Sequence, residues 1–216
     1  MTNQKARIIA IDGPDGSGKT TQVDGLVKKL EDKGLKVLRT RASGGTPIGE
    51  LLRKVSLSNI ERTPEVDLYI SLAMHTALGQ DMKQKAENYD VIIIDRSPLA
   101  ILAYNAFGSQ LKDVSHAYDA CERMLRLWDI DDLLLFSINN NELFTRQQER
   151  LKIQPEQTTN YFEMQNNEYK RRMRNGYVKA YEFVNDLAGL PTNLHVINAN
   201  GSIDQVGATI AKALNL

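Results

Sequence analysis

Short apolar runs recur along this chain, separated by stretches long enough to hold a helix. Ile8-Ile9-Ala10-Ile11, Val91-Ile92-Ile93-Ile94 and Leu133-Leu134-Leu135-Phe136 are apolar at every position and rich in branched side chains. Such runs read as strands buried on both faces, as in parallel sheets. Leu35-Lys36-Val37-Leu38-Arg39-Thr40 alternates and Leu194-His195-Val196-Ile197 is mixed, which predicts two more strands.

Helical spacing fills the intervals. Val23, Leu26, Val27 and Leu30 share one face, and Lys33-Gly34 ends that segment. A short helix is predicted over Ile48–Val55. Another opens with Thr63 as cap and Pro64 in the first turn and carries Leu68, Leu72, Met74 and Leu78. Further helices are predicted at Leu99–Phe107, Val114–Leu127 and Tyr161–Leu187, and a last one from Ser202. Strands alternating with helices imply right-handed crossovers and a three-layer α/β domain over residues 1–216, with a parallel five-stranded sheet. Ligands of such sheets bind at the C-terminal ends of the strands.

The chemistry sits at those ends. After the first strand, Gly13-Pro14-Asp15-Gly16-Ser17-Gly18-Lys19-Thr20-Thr21 fits G-x-x-x-x-G-K-[ST], the phosphate-binding loop, between a strand and a helix as that motif requires. Glycines let backbone N–H groups close on phosphate oxygens, and the helix start adds more donors. Lys19 reaches the β- and γ-phosphates of a nucleotide, and the Thr20 hydroxyl is suited to Mg²⁺. Asp95-Arg96 follows the third strand, where a carboxylate serves a metal and a guanidinium forks onto phosphate. With Arg41 after the second strand, this makes a second set of phosphate ligands. Two sets suit a donor and an acceptor, and nucleotide hydrolysis alone needs only one.

Composition narrows the field. Lys plus Arg and Asp plus Glu number 27 each, which argues against a broad basic surface for nucleic acid. Cys121 is the single cysteine, so no disulfide within the chain is possible. No apolar run is long enough to span a bilayer, and no signal peptide is evident, so a cytoplasmic protein is expected. The three histidines, His75, His116 and His195, lack the spacing of a metal site.

Four stretches together resemble the thymidylate kinase family, across essentially the whole chain. They are Asp12–Thr21, Thr40-Arg41-Ala42-Ser43-Gly44-Gly45-Thr46-Pro47-Ile48-Gly49-Glu50, Asp95-Arg96, and Phe162-Glu163 through Arg172-Met173-Arg174-Asn175-Gly176-Tyr177. The second is similar to the family's T-R-E-P-G-G-T-P-I-G-E. The resemblance implies a P-loop kinase fold with a lid near 141–160, ATP and Mg²⁺ as cofactors, and phosphoryl transfer to dTMP. It implies a homodimer as well. Asp15 would contact the acceptor's 3′-hydroxyl, and Arg41 and Arg96 its phosphate. Lys19 and Thr20 would hold ATP and Mg²⁺, with Asp95 positioning acceptor and metal. No arginine lies in the phosphate loop, so Arg146 or Arg150 of the lid would stabilise the transition state. Tyr69 would stack on the base, with Asn105 nearby. Apart from the resemblance, Lys170-Arg171-Arg172 and Arg174 form a basic cluster that reads first as a solvated helix face, with Arg172 or Arg174 approaching phosphate on lid closure as the alternative.

The departures gather on the acceptor side. Ala42-Ser43 replaces Glu-Pro, Ala73 stands where an arginine reads thymine, Ala100 replaces a hydroxyl or amide, and Asn160-Tyr161 replaces the lid's Asp-Arg. Another nucleoside monophosphate therefore stays open as acceptor. So does a nucleoside kinase acting on a sugar hydroxyl. A nucleotide-driven switch stays open too, though D-x-x-G after the third strand and N-K-x-D are both missing.

Overall fold

A computed structural model describes residues 5–153, 160–162 and 164–216, with backbone only at 147, 150, 151 and 153. Glu163 and part of the lid expected at 141–160 lie outside the described residues. Five strands, β1 (Arg7–Asp12), β2 (Val37–Arg41), β3 (Val91–Asp95), β4 (Asp132–Ser137) and β5 (Asn193–Asn198), form one parallel sheet in the order β2-β3-β1-β4-β5. β1 is central, so the phosphate-binding loop leaves the sheet between β3 and β4, where the strand order reverses. That is the position at which open α/β sheets bind ligands.

Period-two alternation divides each central strand between two cores. Ile9, Ile11, Ile93, Leu134 and Phe136 face α1 (Lys19–Glu31) and, near the end of the chain, a helix over Ile203–Ala213. Ile8, Ala10, Ile92, Ile94, Leu133 and Leu135 face the opposite layer. That layer holds α3 (Pro64–Lys85), α4 (Ser115–Trp128) and α6 (Asn167–Asp186). It follows α2 (Pro47–Leu57) in the chain, and α5 (Asn140–Ile153) lies between β4 and α6; the closing helix is α7. Both faces are covered, as a sheet of uninterrupted apolar strands requires.

Three boundaries differ from the sequence expectation. β2 starts at Val37 because the backbone of Lys36 is bonded to Asp90, through its N–H to the carboxylate and its carbonyl to the N–H. The helix expected from Tyr161 starts at Asn167, since the Asn166 side chain accepts the Tyr169 N–H at 2.8 Å and so caps it there. The segment after Pro98 is a π-helix over Ile101–Gly108, and bonds of that i→i+5 spacing, Ser109 N–H to Tyr104 O and Leu111 N–H to Ala106 O, close it. It packs against α6 at backbone distance: a Cβ added at Gly176 would lie 2.8 Å from the Ala103 Cα.

Three polar features anchor this layer. The Trp128 indole donates to the His75 carbonyl at 3.0 Å, and the buried His75 ring stacks on it. Arg62 and Asp67 form a buried ion pair at the start of α3. Cys121 is fully buried, its thiol donating to the Pro98 carbonyl. Among the described residues no helix is long and apolar enough to cross a membrane.

Candidate active site

The phosphate-binding loop follows β1 as expected. Gly13, Gly16 and Gly18 take φ of 141°, 89° and 92°, values that a side chain disfavours. At Gly13 a Cβ would also meet Phe136 at 2.9 Å. α1 carries no acidic residue in its first turn, which leaves its N-terminal amides and dipole available to an anion. The Lys19 ammonium is buried and spans the loop's mouth, donating to the Gly13 and Pro14 carbonyls at 2.8 and 2.9 Å. Burial, helped by the nearby Arg96 charge, depresses its pKa. Ser17 Oγ is buried in the loop with no partner among the described residues. Thr20 Oγ1 donates to Asp95 Oδ2 at 2.8 Å, which joins the two residues expected to hold Mg²⁺ into one hard-oxygen pair.

The second constellation faces this loop. Arg96 sits at φ 78°, and its N–H donates to the Ile11 carbonyl at 2.8 Å. Its guanidinium pairs with Asp15 and donates to Tyr104 Oη at 2.9 Å and Tyr177 Oη at 3.4 Å. Asp15 also lies 3.9 Å from the Lys19 ammonium and accepts from Tyr104 Oη at 2.6 Å. Burial by itself would raise the Asp15 pKa, but the charges of Arg96 and Lys19 prevail and hold the carboxyl far below the usual carboxylate range. Asp15 thus contacts both Lys19, expected to hold the donor, and Arg96, expected to hold the acceptor.

Arg41 ends β2 and makes a two-pronged bond to Glu50 of α2 at 2.8 and 2.7 Å. Those bonds, with one from the Gly45 N–H, lower the Glu50 pKa. Arg53, one helical turn beyond Glu50, donates to the Ser43 carbonyl at 2.8 Å. Burial and the charges of Arg41 and Arg96 lower its pKa, so the three arginines are electrostatic neighbours. The sequence reading missed Arg53, although its i+3 spacing from Glu50 was a usable signal. It also missed Tyr104, and it placed Tyr177 in a family-like stretch without a role, since both act through contacts distant in the chain.

The remaining expected residues are dispersed. Tyr69 is 66% exposed on α3, and Ala73 is exposed four residues on, so the two share one open face. Asn105 is buried in the π-helix. Arg146 of α5 sits behind the phosphate-binding loop and donates to the Ser17, Ala199 and Gly201 carbonyls at 3.2, 2.9 and 2.9 Å. The side chain of Arg150 lies outside the described residues. Arg172 binds the Gly108 carbonyl and pairs with Glu168, which ties α6 to the π-helix. Among the described residues no group of three or more metal-ligating side chains occurs.

In sequence and fold the chain is similar to known thymidylate kinases. The family model for thymidylate kinase matches residues 11–210. The thymidylate kinase of Syntrophotalea carbinolica is 30% identical over 224 residues, covering 96% of each chain. That of Methylobacillus flagellatus is 28% identical over 209 residues, 94% of this chain and 93% of its own. The crystal structure of thymidylate kinase from Ehrlichia chaffeensis superposes with a TM-score of 0.70 at 21% identity, over 98% of this chain and 100% of that one, and so shares the fold. With the family model matching residues 11–210, over nine-tenths of its length, this chain belongs to the thymidylate kinase family.

Proposed function

We propose that the chain transfers the γ-phosphoryl group of ATP to dTMP, giving dTDP and ADP. The observation that carries this reading is the placement of Asp15 between Lys19 on one side and Arg96 on the other. In transfer, the bond from the γ-phosphorus to the β-bridging oxygen breaks. A new one forms to an oxygen of the acceptor phosphate, which arrives as an anion and needs no base.

Positioning and charge stabilisation supply most of the catalysis in such a reaction. The loop amides and Lys19 hold the donor phosphates. Arg41, Arg53 and Arg96 orient the acceptor phosphate, and Asp15 accepts from the sugar 3′-hydroxyl. That contact requires Asp15 to give up part of its pairing with Arg96, which the incoming phosphate replaces. Thr20 and Asp95 are suited to Mg²⁺, which when bound would neutralise charge on the β- and γ-phosphates. Arg146 is committed to three carbonyls and so serves as a fixed wall of the donor site. Arg150, on the next turn of α5, is the lid arginine for the transition state. The protein acts on cytoplasmic nucleotides and pairs as a homodimer through the outer face of α2, where Ile48, Leu51 and Val55 are 53%, 59% and 42% exposed; light scattering at the mass of two chains tests the pairing.

A panel of nucleoside monophosphates incubated with enzyme, ATP and Mg²⁺ tests the activity. ADP release should depend on acceptor and be fastest with dTMP. Release indifferent to every monophosphate would remove the kinase reading in favour of a nucleotide switch. A second acceptor is favoured by one observation. Ala73 leaves the exposed Tyr69 face without the donor that would read thymine, so the panel must include dUMP, dCMP and the purine deoxynucleotides.

A further inference from the structure

Behind the acceptor arginine lies a buried hydrogen-bonded knot that takes no direct part in holding donor or acceptor. Asp12 is fully buried at the end of β1 and accepts four hydrogen bonds. They come from the Gly13 N–H at 2.8 Å, the Ser97 N–H at 2.9 Å, the Ser97 hydroxyl at 2.7 Å and the Tyr177 phenol at 2.8 Å. One carboxylate therefore joins the first residue of the donor loop to the residue that follows Arg96. The Tyr177 oxygen, having donated to Asp12, accepts from Arg96 Nη1 at 3.4 Å.

We infer that Tyr177, oriented by Asp12, is a positioning residue for Arg96 and sets acceptor affinity without contacting the acceptor. The inference rests on the assignment of Arg96 to the acceptor phosphate. Three observations support it. Arg96 holds a left-handed backbone, at φ 78°, that a residue with a side chain disfavours, so something must maintain it. The Ile11 carbonyl before it and Asp12 after it, through Ser97, do so for the backbone. Tyr104 and Tyr177 do so for the guanidinium, and their rings meet edge to face at 6.2 Å. Tyr177 is itself immobilised. It is 4% exposed, and the neighbouring Gly176 brings α6 against the π-helix backbone so closely that no side chain fits between. Tyr104 differs in kind, because it also bonds Asp15 and so belongs to the sugar-facing group.

Tyr177→Phe tests this, since it keeps the ring and removes only the oxygen. The expected result is a KM for dTMP raised roughly five- to tenfold, with KM for ATP changed less than about twofold, and a thermal midpoint lowered by several degrees at most as Asp12 loses one of its four donors. The decisive measurement repeats the substitution in an Arg96→Ala background. If Tyr177 acts through Arg96, its effect on acceptor KM vanishes there. Additive effects, equal changes in both KM values, or no change in either would overturn the inference. Wild-type turnover with dTMP is the control in each set, and it keeps failure of this inference apart from failure of the kinase reading.

Discussion

Removing one member of the Arg62–Asp67 pair is the sharpest test of how the acceptor side is held in place. The two side chains are 4% and 2% exposed, so solvent screens their interaction little. Arg62 also donates to the carbonyls of Ser56, Ser58 and Ile60 at 2.6, 3.1 and 2.9 Å, and its guanidinium lies 4.3 Å from the centre of the Tyr161 ring. It thereby ties the C-terminal end of α2, the helix of Glu50 and Arg53, to α3 and to the segment following the lid. Asp67→Ala leaves a buried cation without its counter-charge, a change that costs about 3–5 kcal/mol. For a chain of this size each kcal/mol lowers the melting midpoint by about 2–4 °C, so a fall of about 6–20 °C is expected.

Burial raises the Asp67 pKa more than the Arg62 hydrogen bond lowers it, so the loss of hydration outweighs the pairing at this carboxylate. The double variant Arg62→Met/Asp67→Leu removes both charges and should cost less than Asp67→Ala alone. It should still lose about 1–3 kcal/mol from the three carbonyls left without their donor. Urea denaturation of wild type, Arg62→Met, Asp67→Leu and their combination gives the coupling energy directly. A single-variant cost below about 1 kcal/mol, or strict additivity, would refute the claim that this pair is a buried staple.

Four further outcomes are expected. Lys19→Ala should reduce transfer by at least about a hundredfold through lost donor-phosphate stabilisation, whereas Arg53→Ala should raise KM for the monophosphate and leave KM for ATP nearly unchanged; steady-state kinetics with each substrate varied separates the two. Ala73→Arg should raise discrimination for dTMP over dCMP by about tenfold or more if the α3 face addresses the base, and unchanged base preference would contradict that placement. Cys121, buried and with its pKa raised by that burial, should resist a thiol reagent in the native protein and react once per chain in urea.

Much of the sheet and half of the site were legible from local pattern. Uninterrupted apolar runs marked β1, β3 and β4, and the spacing of Gly13, Gly18, Lys19 and Thr20 identified the donor loop without any tertiary information. The π-helix was not legible because Ile101–Ala106 is so largely apolar that no periodicity distinguishes one helical geometry from another. The true start of α6 turned on a single asparagine side chain competing for a backbone N–H. Tyr177 lies 81 residues from Arg96, and Arg62 pairs with an aspartate in a position that reads as one helix turn of ordinary polarity. Such partnerships are selected by packing, which a one-dimensional reading does not contain.

The exposure of Tyr69 and Ala73 has a bearing on how this chain could change its trade over evolutionary time. Neither side chain supports the core, so their replacement would barely disturb folding. Asp12 and Arg96, by contrast, are locked among groups that stability itself requires. If the Tyr69 face meets the nucleobase as proposed, a lineage built this way can wander in which base it welcomes while its phosphate chemistry stays frozen.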